Sequence, residues 1–492
     1  MNSGWTQEDI NQLLDRGISL EEANAQLQRL RDGFLSPQII APATINNGVL
    51  HLNSEQERQF SHLFESRKDS LQLCKFVPAS GAASRMFVHL HSIVQGEFDD
   101  SGREFIQNLK AFPFWPKLQK LAAGKESVDE AFWSKLLLDE AGLGYGSIPK
   151  GLVDFHMYPG GARTAFQEQL YELPFYAVSS SSTYIHFTVA QEFIEQIRIH
   201  LINTIAEIEE QSGIEVNFEL STQTPASDTL AGTSEGLPFR DKQGNLVFRP
   251  GGHGALLKNL ANVNADLVFI KNIDNVVPDA AKEDVLRYKR VLAGYLIHLA
   301  DKIKQTAEML KAGASIANSA ARKLLENELG FQSTADLSNE QLLHLLSRPL
   351  RVCGMVRNEG EPGGGPFWVK DAKGNVTLQI VEKAQIDLSN PTQAALLAES
   401  THFNPVDIVA MPKGALHMVD DLTAFTDPEM GFMSAKTYEG RPLLALEHPG
   451  LWNGAMANWN TAFVEVPLFT FNPVKTVNDL LRPIHRYAKV TF

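Results

Sequence analysis

The sequence predicts an α/β fold in which helices flank a mixed, mostly parallel sheet. The first observation is a strand–helix–strand unit, in which strand-like residues 183–189 and 214–220 enclose a helical segment at 191–211. Two strands joined through a helix normally lie parallel in one sheet. The second observation is a run of β-branched and aromatic residues at 266–271, which is typical of a buried strand. We therefore expect ligands to bind beyond the carboxyl ends of the strands.

Composition narrows the class of protein. The 492 residues, of which 43% are hydrophobic, are enough for a sizeable core. The net charge of −14 comes without any basic run, so we expect no nucleic-acid partner. Apolar runs are shorter than the roughly 20 residues that cross a bilayer, so we expect no membrane partner. Cys74 and Cys353 lie in apolar runs, which suits free thiols in a reducing cytosol, and the N-terminus lacks the pattern of a secretory signal. These features predict a cytoplasmic protein.

Hydrophobic periodicity and capping residues divide the rest of the chain into elements. In order, these are helices within 6–67, strand 71–77, hairpin 236–248, helices 279–311 and 338–346, strand 351–356, a glycine-rich loop at 360–366, strand 376–382, a segment at 403–407 followed by another short strand, and strand 462–466. We expect an N-terminal helical arm at 1–70, a main α/β domain at 71–482 with helical insertions near 98–145 and 279–349, and a C-terminal tail at 483–492.

A loop of small residues at 78–86 joins strand 71–77 to a helix. Backbone N–H groups in such a loop, together with the helix N-terminus, can face an anion, and Arg85 adds positive charge. The loop is neither a P-loop nor a dinucleotide fingerprint, because no Gly-Lys-Ser/Thr follows and only one glycine is present. Small residues also serve tight packing of a strand on a helix, so both interpretations stay open. The residues concerned are Ala79, Ser80, Gly81 and Ala82.

A second candidate site lies at 250–275. Residues 250–254 form a loop, Pro-Gly-Gly-His-Gly, in which backbone can approach a ligand closely because glycine has no Cβ. The strand at 266–271 then ends on Asn272-Ile-Asp274-Asn275. A carboxylate flanked by two amides suits a hard divalent cation that is held partly by substrate phosphates. The alternative is that Asp274 only caps the next turn.

Taken together and in this order, the segments resemble sugar nucleotidyltransferases. Residues 79–86 resemble the A-A-G-x-G-T-R-M signature of those enzymes, and Pro149-Lys150 looks like the Pro-Lys that follows it. The 250–254 loop and the 272–275 segment are similar to the P-x-G-H-G loop and N-x-D-N metal strand of UDP-sugar pyrophosphorylases. Residues 471–481 match their F-x-P-V-K-[ST]-x-x-D-L-L motif, which contains Lys475.

Two further positions extend the resemblance, which spans roughly residues 75 to 482. Gln223 stands where that group has a uracil-binding glutamine, and Phe403-Asn404 looks like its sugar-side F-N. The short sequence segments at 148–152, 351–355 and 450–454 most closely resemble sequences of an uncharacterised bacterial family, which is known only as a domain of unknown function. We place that family in the nucleotide-diphospho-sugar transferase superfamily, which implies a GT-A-like fold.

The resemblance implies that a nucleoside triphosphate, with UTP favoured, is joined to a sugar phosphate with release of pyrophosphate. It also implies a role for each matched residue. Mg²⁺ would be held by Asp274, phosphate charge would be neutralised by Arg85, Lys150 and Lys475, the backbone at 79–82 would cradle the nucleotide, and base and sugar would be contacted by Gln223, Gly252, His253 and Asn404. For Lys475 to act on a phosphate, it must lie within about 10 Å of Asp274 or of the Gly81 loop.

Two other functions stay open at this point. A glycosyltransferase on the same fold would use a finished nucleotide sugar and hold its diphosphate through a metal on Asp274. A nucleotide-binding protein without catalysis is suggested by Ala83, which replaces the second glycine of the signature, and by the long insertion between Arg85 and Lys150.

Overall fold

The computed structural model of the chain describes residues 4–125, 129–361 and 363–486. Residue 362, in the predicted glycine-rich loop, lies outside the described residues, as do residues 126–128 of the first predicted insertion, 1–3 of the predicted arm and 487–492 of the predicted tail.

Helices and strands are numbered separately, each in chain order. The helices are α1 (Gln7–Arg16), α2 (Leu20–Asp32), α3 (Ser54–Arg67), α4 (Val88–Val94), α5 (Asp100–Gln107), α6 (Trp115–Leu121), α7 (Glu130–Leu138), α8 (Ala165–Tyr171), α9 (Leu173–Tyr176), α10 (Ile194–Ser212), α11 (Leu257–Ala261), α12 (Asp279–Lys311), α13 (Ala317–Glu328), α14 (Asn339–Leu346) and α15 (Pro391–Ala398). The strands are β1 (Gln38–Pro42), β2 (Thr44–Ile45), β3 (Gly48–Leu50), β4 (Leu73–Pro78), β5 (Asp154–Tyr158), β6 (Gly161–Thr164), β7 (Val178–Ser179), β8 (Ser182–Thr188), β9 (Glu215–Ser221), β10 (Asp228–Leu230), β11 (Phe248–Pro250), β12 (Leu267–Lys271), β13 (Phe331–Gln332), β14 (Leu350–Arg357), β15 (Gly364–Lys370), β16 (Val376–Glu382), β17 (His402–Met411), β18 (Phe432–Tyr438), β19 (Arg441–Glu447) and β20 (Asn460–Glu465).

The predicted α/β class with a mixed, mostly parallel sheet is confirmed. The predicted strand–helix–strand unit is β8–α10–β9, and β8 and β9 pair in parallel over their full length. Parallel pairs also join β4 to β8, β14 to β20 and β20 to β3, whereas β14 and β17 are antiparallel. The predicted helix at 279–311 has the bounds of α12.

The chain forms two compact units, each made of three segments. The first comprises Met1–Leu63, Gln223–Leu267 and Leu292–Val466, and the second comprises Phe64–Thr222, Val268–Val291 and Pro467–Phe492. The division into an arm, one main domain and a tail stays a prediction.

The first unit contains strands in the order β2-β3-β20-β14-β17, together with a separate antiparallel sheet in the order β1-β15-β16-β13. Strand β17 is buried at all ten positions, as expected for a strand covered on both faces. Strands β18 and β19 form an antiparallel hairpin, and β10 pairs with β11. Cys353 on β14 is a free, buried thiol, as expected.

The second unit contains strands in the order β12-β4-β8-β7, with β9 beside β8. Because β4, β8 and β9 run parallel, their carboxyl ends lie at one edge of the sheet. At this edge the chain leaves β4, and the N–H of Ala79 donates to the carbonyl of Thr188 at the end of β8 (2.8 Å). Cys74 on β4 is free and buried.

Three predicted segments differ from the structure. Residues 6–67 contain α1, α2 and α3 but also the short strands β1 to β3, because β1 gains its hydrogen bonds from β15, which is more than 300 residues away. Residues 403–407 do not precede a separate strand but lie inside the ten-residue β17. The predicted hairpin has its turn at 241–244 and a bridge between Arg240 and Leu246, but its arms are not extended strands, and β11 at its end pairs with β10.

Candidate active site

Asp274 lies just beyond the carboxyl end of the buried strand β12, and only 5% of the residue is exposed. Its Oδ2 accepts hydrogen bonds from Lys150 Nζ (2.7 Å) and from Lys475 Nζ (3.1 Å). Its Oδ1 is buried and has no hydrogen-bond partner among the described residues. One carboxylate oxygen is therefore neutralised twice, while the other keeps its acceptor capacity unused.

Lys150 is held by the backbone of the small-residue loop. Its N–H donates to the carbonyl of Gly81 (3.1 Å), and the N–H of Ala83 donates to the carbonyl of Ile148 (3.0 Å). The next residue, Gly151, packs so closely that an added Cβ would lie 2.3 Å from the Phe166 ring. The loop and the Lys150 segment are thus fixed relative to each other by two hydrogen bonds, and Gly151 packs that segment tightly against α8.

Lys475 is mounted through backbone contacts with the Asp274 segment. The N–H of Val474 donates to the carbonyl of Asp274 (3.1 Å), and Pro473 forms a bridge with Asn275. The N–H of Lys475 donates to Asp479 Oδ2 (2.7 Å). Although its backbone is held in this way, 61% of the Lys475 side chain is exposed, so a ligand can reach its ammonium group. The distance requirement for a role of Lys475 is met, and the role itself stays a prediction.

The electrostatics of the cluster favour the charged carboxylate. Burial raises the pKa of Asp274, but the charges of Lys150 and Lys475 outweigh this effect and the pKa is lowered overall. Burial lowers the pKa of Lys150, and Asp274 opposes this effect only in part. An anion that binds Lys150 would therefore relieve an incompletely compensated buried charge.

The loop at 79–82 offers a row of unused donors. Within the described part of the chain, the N–H groups of Ser80, Gly81 and Ala82 have no hydrogen-bond acceptor, and both Gly81 and Ala82 are exposed. Successive free N–H groups of this kind form an anion-binding concavity. Ala83 is fully buried and its N–H is already paired, so its methyl group does not stand beside these donors. Arg85 is exposed on the short helical turn Ala83–Phe87.

His253 belongs to the first unit. Its Nδ1 accepts a hydrogen bond from the N–H of Leu451 (2.9 Å), so the neutral ring carries its proton on Nε2, which lies 3.4 Å from Glu382 Oε1. The ring stacks on Trp452 with centroids 4.3 Å apart. Gly252 precedes it with φ +76°, in the region that favours glycine. The ring of His253 is thus held with Nδ1 as an acceptor and with Nε2 towards Glu382.

Asn404 and Gln223 also lie in the first unit. Asn404 is buried, and its Oδ1 accepts from the N–H of Val406 (3.1 Å), whereas its Nδ2 has no partner in the described part. Val406 has φ +59°, which is a strained conformation for a β-branched residue. Gln223 is half-buried. The structure therefore groups Asp274, Lys150 and Lys475 with the 79–82 loop in the second unit, whereas Gln223, Gly252, His253 and Asn404 belong to the first.

Several residues that support these sites were not predicted from the sequence. Asp479 accepts from the N–H of Lys475, Glu382 and Trp452 lie against the ring of His253, and Gln169 donates to the two carbonyls that precede Asp274. Two of them had a signal: Asp479 lies in the motif at 471–481, and Trp452 lies in the Gly-Leu-Trp-Asn-Gly segment at 450–454. No group of three or more His, Cys, Asp or Glu residues placed to hold a metal occurs among residues 4–125, 129–361 and 363–486.

Comparison with known proteins gives one family and a set of distant structural relatives. The family described as "Domain of unknown function (DUF4301)" matches residues 6–486. No curated protein matches the sequence. The uridine diphosphate N-acetylglucosamine pyrophosphorylase of Trypanosoma brucei, solved with an inhibitor, is 12% identical, with 98% of this chain and 80% of that chain covered and a TM-score of 0.49. A mutant UDP-glucose pyrophosphorylase of Leishmania major in complex with UDP-glucose is 12% identical, with 98% and 78% covered and a TM-score of 0.47.

Proposed function

The chain belongs to the DUF4301 family, and we propose that it is a sugar-1-phosphate nucleotidyltransferase that uses Mg²⁺ and a nucleoside triphosphate, with UTP favoured. The observation that carries this proposal is the convergence of Lys150 and Lys475 on Asp274 Oδ2, next to three free N–H groups at 80–82. Nucleotidyl transfer needs little besides positioning and positive charge on the phosphate oxygens, and this cluster supplies both. A cytoplasmic location is part of the proposal.

The reaction proposed is a displacement at the α-phosphorus of the triphosphate. An oxygen of the sugar 1-phosphate forms a bond to that phosphorus, and the bond from the phosphorus to the oxygen shared with the β-phosphate breaks. Pyrophosphate leaves with the electron pair of that bond. Lys150 and Lys475 would exchange Asp274 for phosphate oxygens, and the free N–H groups at 80–82 and Arg85 would neutralise the remaining charge.

The donor set of Asp274 fits Mg²⁺. Oδ1 is a buried carboxylate oxygen without a partner in the described residues, and hard cations prefer such oxygens. Mg²⁺ usually keeps only one or two protein carboxylates and takes its other ligands from water and substrate phosphates. When bound, it would supply positive charge to the reacting phosphate oxygens.

The predicted site residues that lie in the first unit suit the recognition of uncharged ligand groups. His253 has a fixed Nε2–H donor. The buried Nδ2 of Asn404 donates no hydrogen bond to any described residue. Donors of this kind read carbonyl and hydroxyl groups of a base or a sugar. We therefore propose that Gln223, Gly252, His253 and Asn404 contact the base and the sugar.

The test is incubation with each nucleoside triphosphate, Mg²⁺ and a panel of sugar 1-phosphates, with pyrophosphate release as the measurement. We expect turnover that Asp274→Asn reduces by a factor on the order of 10² and makes less responsive to Mg²⁺, since Asp274 would hold the ion. No turnover across the panel, with tight binding of UTP, would replace the proposal with a binding protein. Release of nucleoside diphosphate from a nucleotide sugar would replace it with a glycosyltransferase.

A further inference from the structure

Helix α8 and the residue that follows it carry three polar side chains that are fully buried near the end of β12. Glu168, Gln169 and the nearby Glu172 are each 0% exposed. Polar groups at such depth are costly unless they are hydrogen-bonded, and in the described part of the chain the Oε1 of Gln169 has no partner, whereas its Nε2 has two. Each of the three has a different set of partners, and those of Gln169 lie next to Asp274.

The Gln169 side chain contacts the two carbonyls that precede Asp274. Its Nε2 donates to the carbonyl of Asn272 (2.9 Å) and to the carbonyl of Ile273 (3.2 Å). The Ile273 carbonyl belongs to the same peptide plane as the N–H of Asp274, so fixing this carbonyl fixes the backbone on which the Asp274 side chain stands. Both donors of one amide are therefore used on the turn that carries the predicted metal ligand.

The backbone of Gln169 is itself held by a hydrogen bond from a neighbouring strand. Lys75 Nζ on β4 donates to the carbonyl of Gln169 (2.7 Å) and to Glu172 Oε2 (2.9 Å). Lys271, the last residue of β12, donates to both oxygens of Glu172 (2.8 and 2.9 Å). The α8–α9 segment is thus tied to β4 and to β12, and it presents the Gln169 amide to the turn at a fixed position.

We propose that Gln169 is a positioning residue that holds the Asn272–Asp274 turn, so that Asp274 meets both Lys150 and Lys475. The structural role of Gln169 follows from its two hydrogen bonds, whereas its effect on catalysis rests on the proposed function. Without the amide, the Ile273 carbonyl loses a buried donor and the Asn272 carbonyl keeps the N–H of Asn275 (3.3 Å), so the peptide before Asp274 can rotate. A rotation of this kind moves the carboxylate away from the ammonium group of Lys150, whose backbone is held by the Gly81 carbonyl, and disturbs the hydrogen bond from Val474 that mounts Lys475.

The experiment compares Gln169→Met with Gln167→Met. Gln167 lies on the same helix and contacts Thr164 and Thr204, but it has no contact with the turn. Hydrogen–deuterium exchange is measured at Asn275 and Val474, whose N–H groups donate to the carbonyls of Asn272 and Asp274. We expect exchange there to accelerate about tenfold in Gln169→Met and to stay unchanged in Gln167→Met. Unchanged exchange in Gln169→Met, or equal acceleration in both variants, would overturn the proposal.

Kinetics add a second measurement. We expect Gln169→Met to lower kcat by a factor on the order of 10 to 10², with KM for the sugar phosphate changed less than about threefold, since binding groups stay in place. A variant with wild-type kcat would also overturn the proposal. If Gln169→Met does not fold, Gln169→Asn keeps a neutral amide but is one methylene shorter and cannot reach both carbonyls, so the same results are expected from it. Should the wild-type protein lack turnover, the proposed function fails, while the exchange data still decide on Gln169.

Discussion

Lys150 Nζ lies 2.7 Å from Asp274 Oδ2, although 124 positions separate the two residues in the chain. Lys475 reaches the same oxygen from 201 positions away. Two lysines on one carboxylate carry more positive charge than the carboxylate can neutralise. The excess charge and the free N–H groups at 80–82 are the features from which we propose an anion site in the second unit.

Lys475→Met tests the role of the more exposed lysine. Because the side chain is 61% exposed, we expect a change of less than about 1 kcal/mol in the free energy of unfolding. Turnover should fall by a factor on the order of 10² or more, as when one preorganised charge-stabilising donor is removed. The control is Lys120→Met, an exposed lysine on α6, which should keep full activity. Full activity of Lys475→Met would rule out the role.

Gly81→Ala tests whether the loop at 79–82 cradles a phosphate. An added Cβ at Gly81 would meet no heavy atom within 4 Å, so we expect an unchanged melting temperature. The same methyl group would stand beside the free N–H groups, and we expect the dissociation constant for UTP to rise by about tenfold or more, because backbone could no longer approach the phosphate closely. Gly160→Ala is the matched control, since Gly160 also has open space around it. Equal UTP affinity in the two variants would show that phosphate does not bind at Gly81.

Gly254→Ala tests the mounting of His253. An added Cβ would lie 2.2 Å from the carbonyl oxygen of Pro449, which is closer than real Cβ contacts, so backbone must move. We expect this variant to lose about 1 to 3 kcal/mol of stability, as overpacked sites do. Thermal unfolding monitored by circular dichroism is the measurement, with Gly160→Ala as the tolerated glycine substitution. A melting temperature equal to that of wild type would mean that the loop yields without strain.

The fold could be predicted where the residues of a single segment show the periodicity or composition of one helix or strand. Helix α12 keeps helical spacing over 33 residues, and β12 is a continuous apolar run, so both follow from local pattern. Strand β1 could not be predicted, because its five residues become a strand only through pairing with distant β15. The prediction for residues 403–407 was wrong for a similar reason, since their asparagine and proline favour a turn and the long β17 overrides that preference.

The candidate site was predictable only in part. Asp274, Lys150 and Lys475 were proposed together because their motifs occur in a recognisable order, and the structure brings these three side chains together. Gln169 gave no signal, since one glutamine in an amphipathic helix is ordinarily a surface residue. Its importance comes from burial and from two carbonyls about 100 positions away, which only the tertiary structure shows.

Glu172 is expected to make stability depend on acid pH. Burial raises its pKa, but the charges of Lys271 and Lys75 outweigh that effect and lower the pKa to about 2, from an ordinary value of 4.5. A carboxyl group with a lowered pKa stabilises the fold fully above its unfolded-state pKa, and this contribution is lost as pH falls from about 4.5 towards 2. We expect this residue alone to remove about 2 kcal/mol from the free energy of unfolding between pH 6 and pH 3.

Urea unfolding at pH 6 and at pH 3 measures this loss, with Glu172→Gln as the comparison. At pH 6 the variant should be less stable than wild type by about 3 to 5 kcal/mol, because Lys75 and Lys271 lose their buried counter-charge. Because burial already lowers the pKa of Lys75 to about 7, the unpaired lysines would take up protons in this range, so the pH comparison uses the triple variant Glu172→Gln/Lys75→Met/Lys271→Met, which should lose less stability than wild type between pH 6 and pH 3. The nearby buried Glu168 titrates in both proteins and so cancels in the comparison. If wild type and the triple variant lose the same free energy over this range, Glu172 is not the acid-sensitive group, and its ion pairs with the two lysines do not control the stability of the second unit in acid.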